Sequence, residues 1–533
     1  MRMQRDSAEL PPLGSQSIGH NDDDNAEKGL CDASQSPPTI PPSAHISSEA
    51  TSTVNETIDP SRTSIERPAK PVPMPNLKVT KSIRVIDKSV SRWVLFHLWF
   101  NTYRKLFLLC TSLNLTAMIS AELGHFSYAI HNSGAMVLGN LLFAVLMRNE
   151  LFLRLLYTMA IYGLRSWAPL RLRLAATSTL QHIGGLHSGC GLSAAVYDCL
   201  INLQLLLLMQ IGSWFILKTI HMIRNRGMQH SSVIATGAIT STLICISVLS
   251  ALPWLRNNHH NTFERYHRFV GWLGIAMTWV FVILSNLNDI NRRKGQSDVS
   301  IILGGQELWF AFFITILVAL PWATLREVSV QVELPSPRLA IIRFNRGMQQ
   351  GLVGRISRTA VKEFHAFGII SEGIESPYHY MVCGVQGDFT KRILSHPPTT
   401  LWTRELKFTG IGHASAMYKR GIRICTGTGI GAALSTCIQS PDWFLIWIGS
   451  DQEKAFGVTI CDLIQKHIDP KRMILWDTKK EGRRPDTMQL LKETWVRFEA
   501  EVVFITSNRK GNDEIMQGCY TANIPAFGTL WDF

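Results

Sequence analysis

The sequence predicts a membrane α-helical bundle followed by two soluble domains, an antiparallel β-barrel and a parallel α/β domain. Three observations carry this expectation. Apolar residues make up 46% and charged residues only 17% of the 533 residues, more apolar than a wholly soluble chain requires. About six apolar stretches of bilayer-crossing length fall between residues 106 and 322. Beyond Arg326, short β-branched runs give way at about Lys419 to strands alternating with helical stretches. The net charge of +13 gathers beside apolar runs rather than in a basic stripe with interleaved aromatics, so it reads as membrane orientation and excludes a nucleic-acid partner. The ten cysteines are scattered without a C-x-x-C pair, so neither a zinc site nor a disulfide framework is expected.

Residues 1–76 are rich in Ser, Pro, Thr, Asp and Asn without apolar periodicity, the composition of a disordered tail. No signal-peptide pattern opens it, so membrane insertion is expected to be directed by a later segment. Residues 77–326 form the expected transmembrane domain. Lys78, Lys81, Arg84, Lys88 and Arg92 precede an apolar stretch from Trp93 to Phe100 that reads as an interfacial helix on membrane lipid. The crossings run roughly from Leu106 to Leu123, Ala129 to Met147, His182 to Met209, Ser232 to Trp254, Phe269 to Leu287 and Ile301 to Trp322. An arginine-rich region between the second and third (Arg148, Arg154, Arg165, Arg171, Arg173) reads as cytosolic, which leaves the C-terminal half cytosolic too. Lys218, Arg224 and Arg226, and again Arg292, Arg293 and Lys294, break that rule. Asp198 inside the third crossing is costly in lipid and is a functional candidate. Which cellular membrane holds the chain is not legible.

Residues 327–418 show short strands (Val328 to Glu333, Leu339 to Phe344, Leu352 to Thr359, Tyr378 to Val385) at the spacing of a small barrel. Residues 419–533 alternate strands (Ile422 to Cys425, Trp443 to Ile448, Met473 to Trp476, Val502 to Thr506) with helical stretches at Val458 to His467 and Thr487 to Arg497. The first of these strands runs into Gly427, Thr428, Gly429 and Gly431 and then a small-residue helix start. Such a turn aims unpaired N–H groups and the positive end of a helix at one spot, which favours a phosphate. A plain strand-to-helix connection is the competing reading.

Three further local patterns precede that turn: His365-Ala366-Phe367-Gly368 after a strand-like Val361 to Phe364, then Gly387-Asp388-Phe389-Thr390-Lys391-Arg392, then Gly410-Ile411-Gly412. They resemble, in order, the HPF[TS] flavin element, the FAD-pyrophosphate helix start and the GPYG loop of the ferric reductase and NADPH oxidase superfamily, whose soluble part is ferredoxin-reductase-like. The chain is most similar to a divergent branch of it, the TmpA-type fungal transmembrane flavoproteins. The resemblance implies an FAD held by His365, Phe367, Gly387, Phe389, Thr390 and Lys391, with Gly410 and Gly412 nearby. It implies NADPH or NADH on Gly427, Thr428, Gly429 and Gly431, Asp451 at the ribose, and Trp531 or Phe533 over the flavin face. Departures are Ala366 for proline, Gly368 for a hydroxyl residue, a GPYG loop without its proline and tyrosine, and Thr506-Ser507-Asn508 in place of a CGP motif.

The same resemblance implies haem ligands at His187 and His267, each at the start of a crossing. A second pair is missing, since Leu200, Ile201, Val280 and Phe281 stand at the partner positions, so at most one haem b is implied. On residue type alone these histidines read equally as packing residues, and Lys479, Lys480, Arg483 and Arg484 as a solvated face or a nucleotide-phosphate contact. The functional expectation is a membrane-bound flavin-dependent oxidoreductase moving electrons from NAD(P)H through FAD to a membrane-side or cytosol-facing acceptor. The alternative is a non-catalytic reductase-fold membrane protein serving signalling or scaffolding a biosynthetic pathway.

Overall fold

The computed structural model describes residues 91–195, 230–293 and 297–530. The N-terminal tail, Asp198, Leu200, Ile201, Lys218, Arg224, Arg226, Lys294, Trp531 and Phe533 lie outside the described residues.

The helical part begins with a short amphipathic helix α1 (Arg92–Trp99), which buries no residue and exposes Trp93, Leu95, Phe96 and Trp99. It continues through α2 (Thr102–Glu122), α3 (Ser133–Leu146), α4 (Glu150–Leu164), α5 (Leu170–Gln181) and α6 (Gly184–Ala195). After the undescribed stretch come α7 (Ser231–Ser250), α8 (His260–Arg292) and α9 (Gln306–Ala323). Among the described residues three helices are long and apolar enough to cross a membrane: α7, the Thr262–Arg292 part of α8, and α9. A fourth span results if α3 and α4, bent by 67° at their junction, are taken as one. The expected third crossing lies partly outside the described residues. The first corresponds to α2, which carries Arg104, Lys105 and Asn114 and is not among the apolar three.

The arginine-rich region expected on the cytosolic side is helical, forming α4 and α5. Its charges are used in docking. Tyr157 and Ile161 of α4 enter the same core as Leu339, Ile341, Leu434 and Trp447 of the C-terminal half. Arg173 of α5 grips Glu501 with two bonds of 3.0 and 3.1 Å and also donates to the carbonyl of Met417 at 2.8 Å. Glu150, the first residue of α4, receives Arg355 Nε at 2.7 Å and Arg404 Nη1 at 3.1 Å.

The helix α9 ends at Ala323 and β1 (Leu325–Ser336) starts two residues later, so no flexible linker separates bundle from sheet. The antiparallel sheet adds β2 (Leu339–Phe344), β3 (Leu352–Ser357), β4 (His365–Gly368), β5 (Ile370–Ser371), β6 (His379–Gly384), β7 (Thr400–Arg404) and β8 (Phe408–Thr409). Its order is β4-β3-β7-β1-β2-β6-β5, with β8 also on β3. The helix α10 (Asp388–Ser395) sits between β6 and β7. The strand expected at Val361 to Phe364 is shifted by one element, for the four residues His365–Gly368 are themselves the strand, pairing β3 from Gly354 to Phe367 and Ile356 to His365.

The second sheet holds β9 (Gly421–Thr426), β10 (Trp443–Gly449), β11 (Met473–Asp477), β12 (Val502–Thr506) and β13 (Ala526–Gly528), all parallel, in the order β11-β10-β9-β12-β13. Connecting helices are α11 (Ile430–Gln439), α12 (Gln452–His467), α13 (Thr487–Phe498) and α14 (Arg509–Thr521). Every residue of β10 is buried, as expected of a strand covered on both faces. The helix α11 rests on the antiparallel sheet, where Gln439 Nε2 donates to the carbonyls of Ser371 at 2.8 Å and Met348 at 3.0 Å.

Candidate functional site

The strand order of the parallel sheet reverses on either side of β9, and in such sheets ligands bind outside the carboxyl ends of the strands at that switch point. A cleft of ≈1580 Å³ opens there. It is lined by Thr426–Gly429 after β9, Ile448–Ser450 after β10 and Thr506–Asn508 after β12. Facing them are His365–Gly368 of β4 and Gln386–Thr390 at the start of α10. The first turns of α8 add Glu264, Arg265 and Arg268. They belong to a helix of 33 residues, about 50 Å long.

His365, Phe367, Gly387, Phe389 and Thr390 all line this cleft with Gly427, Thr428, Gly429 and Gly431. The His365 ring stacks on Phe389 at 4.1 Å and 25°, and Phe367 lies 6.3 Å from the same ring. Gly368 is explained by packing rather than by a cofactor, because a Cβ there would sit 2.5 Å from Cα of Ala432 on α11. The Thr390 hydroxyl accepts from the N–H of Gln386 at 3.0 Å and of Gly387 at 3.2 Å and donates to the Gly387 carbonyl at 3.0 Å. It therefore caps its own helix. Lys391, expected at the phosphates, is exposed and outside the lining, which takes Arg392 instead.

The glycine turn divides in the same way. Gly427 holds φ +50° with no atom within 4 Å of an added Cβ, so its backbone lies open to the cleft. An added Cβ on Gly429 would lie 2.3 Å from the Thr506 carbonyl, and on Gly431 3.2 Å from Val382 Cβ. Those two glycines let the helix approach its neighbours. Gly387, like Gly427, is open, and these two positions alone of the expected glycines present bare backbone to the cavity. Gly410 and Gly412 are not in the lining. Gly412 gives way to the buried Arg423, whose Nη2 would lie 2.5 Å from a Cβ, and to Gly351.

Asp451 adopts φ +53° and its Oδ2 lies 2.6 Å from Lys479 Nζ, outside the lining. The neighbouring Asp477, missed by sequence reading, accepts backbone N–H bonds from Asp451, Gln452, Lys479 and Lys480. Burial raises its pKa, but those donors outweigh it and hold the carboxyl below its ordinary value. Of the four-cation group only Arg484 reaches the cleft, joined by Arg265, Lys362, Arg392 and Lys510. Those cations are scattered along the chain from residue 265 to residue 510, so only the fold could reveal them as one set. In place of a CGP motif, the Ser507 hydroxyl bonds that of Thr426 at 2.7 Å and the Asn508 side chain caps α14 by accepting from Gly511 N at 2.8 Å.

A second cavity of ≈300 Å³ lies in the helical bundle and contains both His187 of α6 and His267 of α8. Nδ1 of His187 lies 2.8 Å from the Ala144 carbonyl, and Nδ1 of His267 lies 2.9 Å from the Ser247 carbonyl. A carbonyl only accepts, so each Nδ1 carries the proton and each Nε2 the lone pair. Two imidazoles that present their Nε2 lone pairs to one cavity could serve as ligands to a haem iron. Among the described residues no group of three His, Cys, Asp or Glu could hold a bare metal ion. Arg268 lines both cavities. Its Nη2 is 2.6 Å from Glu264 Oε1 and its Nη1 donates to the Val361 carbonyl at 2.8 Å.

An antiparallel near-barrel sheet followed by a parallel sheet, with the cleft between them, matches a ferredoxin-reductase-like module. At the level of particular proteins, residues 411–533 match a family described as Adenylate-forming reductase 03009, C-terminal domain. The chain is 29% identical over 453 residues to Adenylate-forming reductase 06235 of Coprinopsis cinerea, covering 84% of this chain and 42% of that protein. It is 30% identical over 450 residues to Adenylate-forming reductase 03009 of the same organism, with the same two coverages. The chain thus spans less than half the length of these curated relatives. Among solved structures it is similar to phthalate dioxygenase reductase, with a TM-score of 0.30 and 10% identity over 38% of this chain and 68% of that one. A siderophore-interacting protein of Acinetobacter baumannii gives a TM-score of 0.26 and 10% identity over 38% and 89%. Likenesses of that extent add nothing to the strand order itself.

Proposed function

We propose that the chain is a membrane-bound flavin-dependent oxidoreductase that passes electrons from NAD(P)H through FAD toward the membrane. The observation that carries this reading is the single cleft joining the open backbone of Gly427 and Gly387 to the His365, Phe367 and Phe389 aromatics. The cofactors would supply hydride and single-electron chemistry; the chain supplies position and field. Gly427 and the start of α11 would hold the nicotinamide cofactor's pyrophosphate, and Gly387 with the start of α10 that of FAD. Arg265, Arg392, Arg484 and Lys510 would offset the phosphate charge. His187 and His267 would hold one haem by Nε2, with Arg268 standing between that pocket and the cleft. The relatives are named reductases, which supports electron transfer without naming the acceptor.

The Thr506-Ser507-Asn508 loop favours the second reading, a non-catalytic reductase-fold membrane protein, because it brings no thiol to the nicotinamide side of the cleft. The visible spectrum of the detergent-purified full chain, before and after anaerobic NADH or NADPH, separates the two. Flavin bands that bleach establish the enzyme, and a Soret band lost in His187→Ala or His267→Ala adds the haem. A folded protein that stays colourless when FAD is supplied overturns the first reading in favour of the second.

A further inference from the structure

Outside the two cavities, the helical bundle brings together Cys110 of α2 and Cys190 of α6, with Sγ atoms 3.1 Å apart and both side chains buried. Among the described cysteines no other sulfur pair is in such contact. The approach is built into the helix interface. A Cβ on Gly185 would lie 2.3 Å from the Tyr103 carbonyl, and one on Gly189 would lie 2.8 Å from Cys110 Cβ, so these two positions let the backbones close up. Tyr103 OH to Ser188 Oγ at 2.6 Å ties α2 to α6 in the register that keeps the thiols opposed. Ala144 packs against both cysteines, its carbonyl meets His187 Nδ1, and it lines the ≈300 Å³ cavity. The thiols therefore stand one side chain away from that cavity.

We propose that Cys110 and Cys190 form a reversible intramolecular disulfide, a peroxide-responsive modification site in the wall of the histidine pocket. A disulfide needs sulfurs about 2.05 Å apart, so closing the pair moves the two helices by a side-chain adjustment rather than a refolding. Asn114 Nδ2, 3.8 Å from Cys110 Sγ, is a donor to that sulfur, and a donor favours the charged form, so of the two Cys110 is the one placed to attack. Cys110 gives up its proton and attacks hydrogen peroxide, the O–O bond breaks, and hydroxide takes the proton to leave as water. The Cys190 thiol then attacks the sulfenic sulfur, the S–S bond forms, the S–O bond breaks and a second water leaves. Two thiols are oxidised by two electrons and one peroxide is reduced by two. Burial in the bundle keeps the product from bulk thiols, so reduction awaits a small dithiol.

The test is differential alkylation of the full-length protein in detergent, with mass spectrometry after hydrogen peroxide, quenching, denaturation and alkylation. The expected result is joint loss of alkylation at Cys110 and Cys190, a cross-linked peptide pair two hydrogens lighter, and recovery of both thiols with dithiothreitol. In Cys190→Ser the trapped sulfenic acid on Cys110 is expected to react with dimedone. Full alkylation of both cysteines after a peroxide dose that oxidises exposed methionines overturns the proposal. So does oxidation of Cys110 to sulfinic acid without the cross-link, or a Cys190→Ser protein that dimedone does not label at Cys110.

Discussion

Glu150 is where the helical part and the antiparallel sheet are held together by charge, and it offers a quantitative test of the docking. Its Oε1 alone receives Arg355 Nε and Arg404 Nη1 at 2.7 and 3.1 Å. Glu150 and Arg404 side chains are 9% and 13% exposed, whereas Arg355 keeps 28%. Arg404 is further sandwiched near Trp322 of α9 and Phe364, 4.9 and 5.1 Å from the ring centroids. Glu150→Gln keeps the volume and an acceptor but leaves two guanidinium groups facing a neutral amide. Removing one partner of a buried ion pair costs about 3–5 kcal/mol. The water reaching Arg355 and the retained acceptor lower this to about 2–3 kcal/mol. For a unit of roughly 200 residues each kcal/mol is worth about 2–4 °C, so the sheet's melting transition is expected to fall by about 4–12 °C. Tryptophan fluorescence during heating in detergent reads the shift, and limited proteolysis near Thr324 is expected to accelerate. An unchanged transition would refute the claim that this carboxylate clamps the sheet to α4. Combining it with Arg404→Met should cost less than the sum of the single changes, since the two residues share one interaction.

The glycines separate packing from binding: Gly368→Ala, whose Cβ meets Ala432 at 2.5 Å, is expected to destabilise the chain by about 1–3 kcal/mol. Gly387→Ala, with nothing within 4 Å, is expected to leave thermal stability intact while weakening FAD retention, read by flavin fluorescence on gel filtration. His379 predicts acid lability. Its ring lies parallel to Phe344 at 4.7 Å, its Nε2 is buried without a partner, and burial chiefly lowers its pKa to about 4. Between that value and about 6.5 the unfolded chain takes up a proton that the folded chain refuses, so stability falls as pH drops through this window, by roughly 3 kcal/mol at its foot. Urea titrations at pH 7 and 4.5 should show that slope, and His379→Asn should flatten it. Arg173→Lys, which cannot reproduce the bidentate grip on Glu501, is expected to cost about 1–2 kcal/mol, seen as easier proteolytic release of α5 from the α/β domain.

The parallel sheet was legible because its strands announce themselves: β10 is seven buried residues in a row, and β9 ends in the glycine turn. The antiparallel strands were legible from β-branching for β1, β2, β3 and β6. The strand β4 was misplaced because its four residues, His365–Gly368, lack that pattern and owe their conformation to pairing with β3. The docking role of region 148–173 was not legible, because Arg173 finds Glu501 only through a contact 328 residues distant in sequence. The glycine run misled in a subtler way. Three glycines looked like one phosphate cradle, yet Gly429 and Gly431 are required by neighbouring chain segments and only Gly427 is open. Sequence can show that side chains are absent; it cannot show whether protein or ligand fills the space.

The geometry also narrows how the parts can move. One core unites α4, the antiparallel sheet and the α/β domain, so the cleft walls are not separate bodies free to swing. Continuity from α9 into β1 and the long reach of α8 tie the same walls to the bundle. Arg268 is the residue at which the two cavities meet. It sits one position after His267 and touches both cavities, while its guanidinium is held by Glu264 and the Val361 carbonyl. A side chain fixed at both ends of its hydrogen-bond fork does not act as a swinging gate. Its charge is offset by the Glu264 carboxylate, so between the two pockets it stands as a fixed ion pair rather than a free cation. A functional coupling between the cleft and the histidine pocket therefore requires no domain motion, only that both sites be filled.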